Sequence, residues 1–135
     1  MELTIIFSDK CSIAAVSRNA VCKVTDFLQE PTSAYQASAD GLFNVMERVS
    51  KDGLDQLPHS LSHFVDKKEK IYEFIKGDLR LFYFKGQDNL LVICTSVVIK
   101  KTQKVDKKQV NLAIRLKLEY LQSVRDGTIV LIEDN

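Results

Sequence analysis

The feature that most constrains this chain is a change of hydrophobic period near Leu61. Upstream, Tyr35, Ala39, Leu42, Met46 and Val49 recur at alternating spacings of four and three, which lays one apolar stripe along a helix. Downstream the pattern alternates, and strands are expected near Leu61–Val65, Lys70–Ile75, Leu79–Phe84 and Leu90–Ile99. The links Lys76-Gly77-Asp78 and Gly86-Gln87-Asp88-Asn89 have the chemistry of tight hairpin turns. Links that short join antiparallel neighbours. In the third strand Leu79, Leu81 and Tyr83 share one face, while Arg80, Phe82 and Phe84 share the other. Leu90–Ile99 is apolar on both faces and belongs at the centre of the sheet, covered on both sides.

The remaining elements follow from weaker signals. The run Leu3-Thr-Ile-Ile-Phe-Ser-Asp9 reads as a first strand. A helix is expected over about Ser17–Gln29, burying Val21, Val24, Phe27 and Leu28, with Pro31 ending it. Thr32 or Ser33 caps the next helix, and Gly53 stops it. A last helix begins at Asp106, a good N-cap with Gln109 in the capping-box position. It carries two apolar stripes, Val110/Ile114/Leu118/Leu121 and Leu112/Leu116/Tyr120, and so wants two packing partners: the sheet, and either the C-terminal tail or another protein. Gly127–Ile132 reads as a short final strand. The order β-α-α-β-β-β-β-α with a final β predicts an α+β fold, an antiparallel sheet with helices on its faces.

At 135 residues the chain is expected to form a single domain spanning 1–135. The longest apolar run, Leu90–Ile99, is half of what a membrane-spanning helix needs, and Glu2 stands where a signal peptide would carry positive charge. Cys11, Cys22 and Cys94 are odd in number with no C-x-x-C spacing, which fits reduced thiols and a cytoplasmic location. The formal net charge is only +1, which on its face argues against a nucleic-acid partner. That total hides a partition. Residues 64–125 carry 14 basic and 7 acidic side chains, whereas residues 1–63 and 126–135 are each net −3.

The densest chemical signal is Lys100-Lys101-Thr102-Gln103-Lys104-Val105-Asp106-Lys107-Lys108, which leaves the central strand and enters the last helix. A solvated loop is its ordinary reading. Its position at a strand end beside Arg80 turns it into a candidate phosphodiester site. Arg80 shares its face with Phe82 and Phe84, and cations beside aromatics suit single-stranded RNA. His59 and His63 are spaced i, i+4, but Pro58 puts them on loop or strand, and no Cys or acidic cluster joins them, so no metal site is expected. There is no G-x-x-x-x-G-K-[ST], G-x-G-x-x-G or G-x-S-x-G pattern.

Taken in order, Ile71-Tyr-Glu-Phe74, Asp78-Leu-Arg-Leu-Phe-Tyr-Phe84, Val98-Ile-Lys-Lys-Thr-Gln-Lys104 and the helix with Ala113, Arg115 and Tyr120-Leu121 resemble the RelE/HigB superfamily of bacterial toxins. The similarity is to its phage-derived, HigB-like branch, with its "KKTQKTP" loop and "EIxxAxxRxxxYL" helix. It covers about residues 20–122, leaving 123–135 as a C-terminal extension. It implies a RelE-like fold, an N-terminal helical hairpin packed on an antiparallel sheet with a C-terminal helix. It further implies the toxin of a type II toxin–antitoxin system, cutting mRNA, often on the ribosome, without metal or other cofactor. A helix-turn-helix antitoxin would neutralise it.

Carried over by position, Arg80 stands where the family's phosphate-stabilising arginine lies, and Lys100, Lys101 and Lys104 match its basic loop, with Lys107 and Lys108 following. Lys101 joins Arg80 as a catalytic candidate. Ile75 replaces a branch arginine, and Asp106 stands at or beside the loop's proline. The RelE-type strand lysines are missing, so the general base stays open among Glu73, His63, Tyr72 and Tyr83. Two other readings are a ParE-like protein that inhibits DNA gyrase without chemistry, and a degenerate member that only binds RNA or its antitoxin.

Overall fold

The computed structural model describes residues 1–133, so the acidic end of the tail at Asp134 lies outside the described residues. Two strands, β1 (Glu2–Ser8) and β2 (Ser12–Ser17), open the chain as a hairpin. Helices α1 (Lys23–Gln29) and α2 (Gln36–Asp52) follow. Strands β3 (Ser62–Asp66), β4 (Ile71–Lys76), β5 (Leu79–Lys85) and β6 (Leu91–Ile99) come next, then α3 (Lys107–Asp126) and β7 (Val130–Glu133). All seven strands form one sheet in the order β3-β4-β5-β6-β2-β1-β7.

This architecture is α+β, but it corrects the expected one in two ways. The helical hairpin does not begin the fold. Ser12-Ile-Ala-Ala-Val-Ser17 is a strand, and Asn19 and Ala20, both at positive φ, turn the chain before α1 starts at Lys23. Nor is the sheet wholly antiparallel. β2 runs parallel to β6, and β7 parallel to β1. Parallel neighbours need a long crossover. Here α1, α2 and the β3–β5 meander supply it, bringing β6 back beside β2.

The β3–β6 meander is antiparallel as its short links require. β6 is the middle strand of the seven, as a strand apolar on both faces should be. A bulge opposite Phe82/Tyr83 leaves Thr95 unpaired in the ladder, with its hydroxyl donating to the Phe82 carbonyl at 3.3 Å. The extra residue switches parity. Val92 and Cys94 before it, and Val97 and Ile99 after it, all pack toward α1 and α2.

The sheet separates two cores. On one face α1 and α2 bury Val24, Leu28, Leu42, Met46 and Val49 against Ile13, Leu79, Leu81 and Cys94. The α2 stripe is the one visible in the sequence, and Gly53, at φ +86, ends the helix by donating its N–H to the Val49 carbonyl. On the other face α3 packs Ala113 and Tyr120 against Leu3, Ala14, Ile71, Phe84 and Ile93. The Asp106 carboxylate caps α3 by accepting from the Gln109 N–H. Of the two expected stripes on α3, Leu118 and Leu121 remain exposed. Among the described residues no helix is long and apolar enough to cross a membrane. α3 covers only part of its face, and the uncovered part holds the site.

Candidate active-site groove

Three neighbouring strands set the floor of the open part. Register places His63 opposite Glu73, Glu73 opposite Phe82, Ile75 opposite Arg80, and Arg80 opposite Val98. Paired residues share a face, so His63, Glu73, Arg80, Phe82 and Val98 all point to the side that α3 leaves bare. The loop Lys100–Asp106 closes the end. The result is a groove of about 360 Å³ lined by these residues together with Lys100, Lys101, Lys104 and Asp106.

Arg80 is held rather than free. Its Nη1 donates to the carbonyls of Gly77 (2.8 Å) and Leu79 (2.9 Å), both produced by the tight β4–β5 turn. Its Nε is buried, without a hydrogen bond among the described residues, and lies 3.5 Å from Glu73 Oε1. The same oxygen is 3.8 Å from His63 Nε2. Glu73 is only 5% exposed. A carboxyl group this deep needs a compensating partner, and the Arg80 guanidinium lies against it.

His63 stands at the mouth, its side chain 46% exposed. Its Nδ1 is 3.0 Å from the Phe64 carbonyl, which can only accept, so that nitrogen carries a proton. Nε2, facing Glu73 and the groove, is therefore the nitrogen able to take or give one. The lining cations Arg80, Lys100, Lys101 and Lys104 face two acids, of which Glu73 sits against Arg80 and Asp106 is engaged in capping α3. The groove is thus a positively charged cleft with an apolar floor and one titratable ring at its lip.

Not every expected residue reaches it. Tyr83 and Tyr72 lie on the opposite face of the sheet. Tyr83 is 2% exposed, stacks on Phe74 at 4.1 Å between ring centroids, and shares a 2.6 Å hydrogen bond with the Ser62 hydroxyl. Burial pushes its phenol well above the ordinary range. Lys107 and Lys108 are exposed in the first turn of α3 and do not line the groove. Conversely, Val98 and Val105 form part of its wall, and Ser96, paired with Phe82 on this face, has a buried hydroxyl without a partner among the described residues. Only the bulge at Thr95 puts Ser96 and Val98 here, and nothing in the local sequence announces that bulge.

A protein-family model described as "Phage derived protein Gp49-like (DUF891)" matches residues 31–117. The match runs from just before α2 to the middle of α3 and contains every residue that lines the groove. It leaves out β1, β2, α1 and β7. Among curated proteins there is no match.

Proposed function

Because the chain belongs to the phage-derived Gp49-like family, a RelE-like family of type II toxin–antitoxin toxins, we propose that it is such a toxin and stops translation by cutting mRNA. The observation that carries this reading is the convergence of Arg80 and three loop lysines on one groove, with Glu73 buried behind Arg80 and His63 at the lip.

The chemistry follows from that geometry. A scissile phosphate seated against Arg80 and Lys100, Lys101 and Lys104 has its negative charge met by four cations on a partly water-excluded floor. The neighbouring ribose 2′-oxygen attacks phosphorus, forming the 2′-O–P bond as the P–O5′ bond breaks. His63 Nε2 takes the 2′-hydroxyl proton, and the imidazolium so formed passes it to the leaving 5′-oxygen. Glu73 touches neither reacting atom. It is a positioning residue, fixing the Arg80 guanidinium and the His63 ring from below. The products are a 2′,3′-cyclic phosphate and a 5′-hydroxyl. The reaction as written needs only these side chains.

The partners of this reading are mRNA, presented by the ribosome, and a helix-turn-helix antitoxin produced alongside. Induction of the chain in cells, with mapping of new mRNA 5′ ends, tests it. New 5′-hydroxyl ends within minutes are expected, absent in Arg80→Met. Growth arrest with intact mRNA and an SOS response would instead mark a gyrase inhibitor.

A further inference from the structure

We propose that the protein has a second RNA subsite, at the end of the sheet where β4 begins and β5 ends, which binds the single-stranded RNA continuing out of the groove. The inference rests on the RNA reading of the groove and extends it. The site is a cavity of about 450 Å³ whose charged lining is Lys70, Lys85 and Lys117, with no acidic residue among its walls. The register Tyr72↔Tyr83 brings Lys70 and Lys85 to the same end of adjacent strands. Lys117 reaches in from α3 and donates to the Glu69 carbonyl at 2.7 Å, which ties the β3–β4 turn to the helix. Burial and the nearby Lys70 charge lower the Lys117 ammonium from its ordinary range, with Glu69 opposing in part. Three ammonium groups held this close call for an anion.

The aromatic content says which anion. Phe64 and Tyr72 stack with ring centroids 4.6 Å apart, and Phe64 is 41% exposed on the edge strand β3. Lys85 Nζ sits 4.9 Å from the Tyr72 ring centroid, so the cation and the platform form one surface. An exposed aromatic beside lysines accepts an unpaired base on its face and the adjoining phosphate on the ammonium groups. A duplex, whose bases are stacked on each other, cannot use it. Phe64 borders both cavities, its carbonyl beside the His63 ring at the groove and its own ring stacked on Tyr72 on the other face, so the two lie on either side of the β3 edge. A strand leaving the groove over the β3 edge passes directly onto the second site.

Fluorescence anisotropy with uncleavable 2′-O-methyl RNAs of four and twelve nucleotides tests this on the full chain. The twelve-nucleotide RNA should bind on the order of tenfold tighter than the four-nucleotide one, through added phosphate and stacking contacts. Lys70→Asn/Lys85→Gln should erase that gain and lower the slope of log K against log salt by about 1.4, two single-strand phosphate contacts. Asn is chosen because Lys70 sits at φ +57. Phe64→Leu should weaken the long RNA and leave the salt slope unchanged. Equal affinity for both lengths, or an unchanged slope in the folded double variant, would overturn the proposal. So would displacement of the long RNA by polyglutamate as effectively as by RNA, which would mark an acidic protein partner. Cleavage of unmodified RNA separates the two readings. Length-dependent binding in a chain that cuts nothing sustains the subsite and removes the nuclease, whereas cleavage without any length gain removes the subsite alone.

Discussion

Removing either charge of the Arg80–Glu73 pair should destabilise the protein, and removing both should cost no more stability than removing Arg80 alone while restoring none of the cleavage. In Arg80→Met, Glu73, 5% exposed in the native fold, loses its guanidinium partner and is left with the His63 ring 3.8 Å away. Stranding one partner of a fully buried ion pair costs about 3–5 kcal/mol. The Arg80 side chain is 17% exposed and the groove is open, so solvent screening reduces this to about 2–3 kcal/mol. For a domain of this size that is a fall in Tm of about 10 °C. Glu73→Gln keeps the shape and an acceptor for the buried Nε, and should cost about 1–2 kcal/mol. In Arg80→Met/Glu73→Gln neither charge is stranded, so the loss should fall short of the sum by about 1–2 kcal/mol. Single-turnover cleavage should nonetheless drop about 10²- to 10³-fold in both variants lacking Arg80, the cost of removing one transition-state donor. Urea unfolding and a cleavage assay on the four proteins supply the cycle. Additive stabilities would show that the two charges do not depend on each other. Full cleavage by Arg80→Met would remove Arg80 from the chemistry.

Other consequences follow from the same geometry. His63→Ala should lower cleavage by about 10²- to 10⁴-fold while leaving the urea midpoint almost unchanged, because the ring is half exposed and unlike Glu73 carries no buried charge; retained activity would transfer the proton to another group. Asp106→Ala removes the N-terminal side-chain cap of α3 and should cost about 1 kcal/mol, read as a lowered urea midpoint. Alkaline pH should destabilise the fold, because burial raises both the Tyr83 phenol and the Cys94 thiol above their ordinary 10.0 and 9.0. Above those values the unfolded chain releases protons that the folded chain retains, so stability is complete below about pH 9 and falls as pH rises. Lys117, shifted downward, offsets part of the loss. A net decrease of about 2 kcal/mol between pH 8 and 10.5 is expected in urea titrations, and a rise would contradict the burial argument.

The part of the molecule readable from sequence is the part governed by local rules. Tight Gly/Asp turns fixed the β3–β6 meander, the spacing of Leu42, Met46 and Val49 fixed α2, and Asp106 with Gln109 marked the start of α3. Strand parity was equally legible: Tyr83 alternates with Arg80, and it does lie on the far face. What escaped depends on distant partners. Ser12–Ser17 is short, and its core is two alanines between Ile13 and Val16, so nothing in its pattern distinguishes a strand from a lead-in to α1. Its identity comes from β6, against which it pairs in parallel across some eighty residues of chain. The site divides in the same way. Arg80 and the lysine loop stand out as charge beside apolar sequence, whereas the burial of Glu73 beneath them exists only through the β3–β4–β5 register. The +1 net charge hid a local concentration: Arg80, Lys100, Lys101 and Lys104 line one groove against Glu73 and Asp106, whereas residues 1–63 and 126–135 are each net −3.

The central claim is that this groove cuts RNA through attack by the ribose 2′-oxygen. The direct measurement adds purified protein to translating ribosomes on a defined mRNA and determines the chemistry of the new ends. The account predicts 2′,3′-cyclic phosphate and 5′-hydroxyl ends that disappear with Arg80→Met and with His63→Ala. Intact mRNA, or fragments bearing 5′-phosphates, would contradict it.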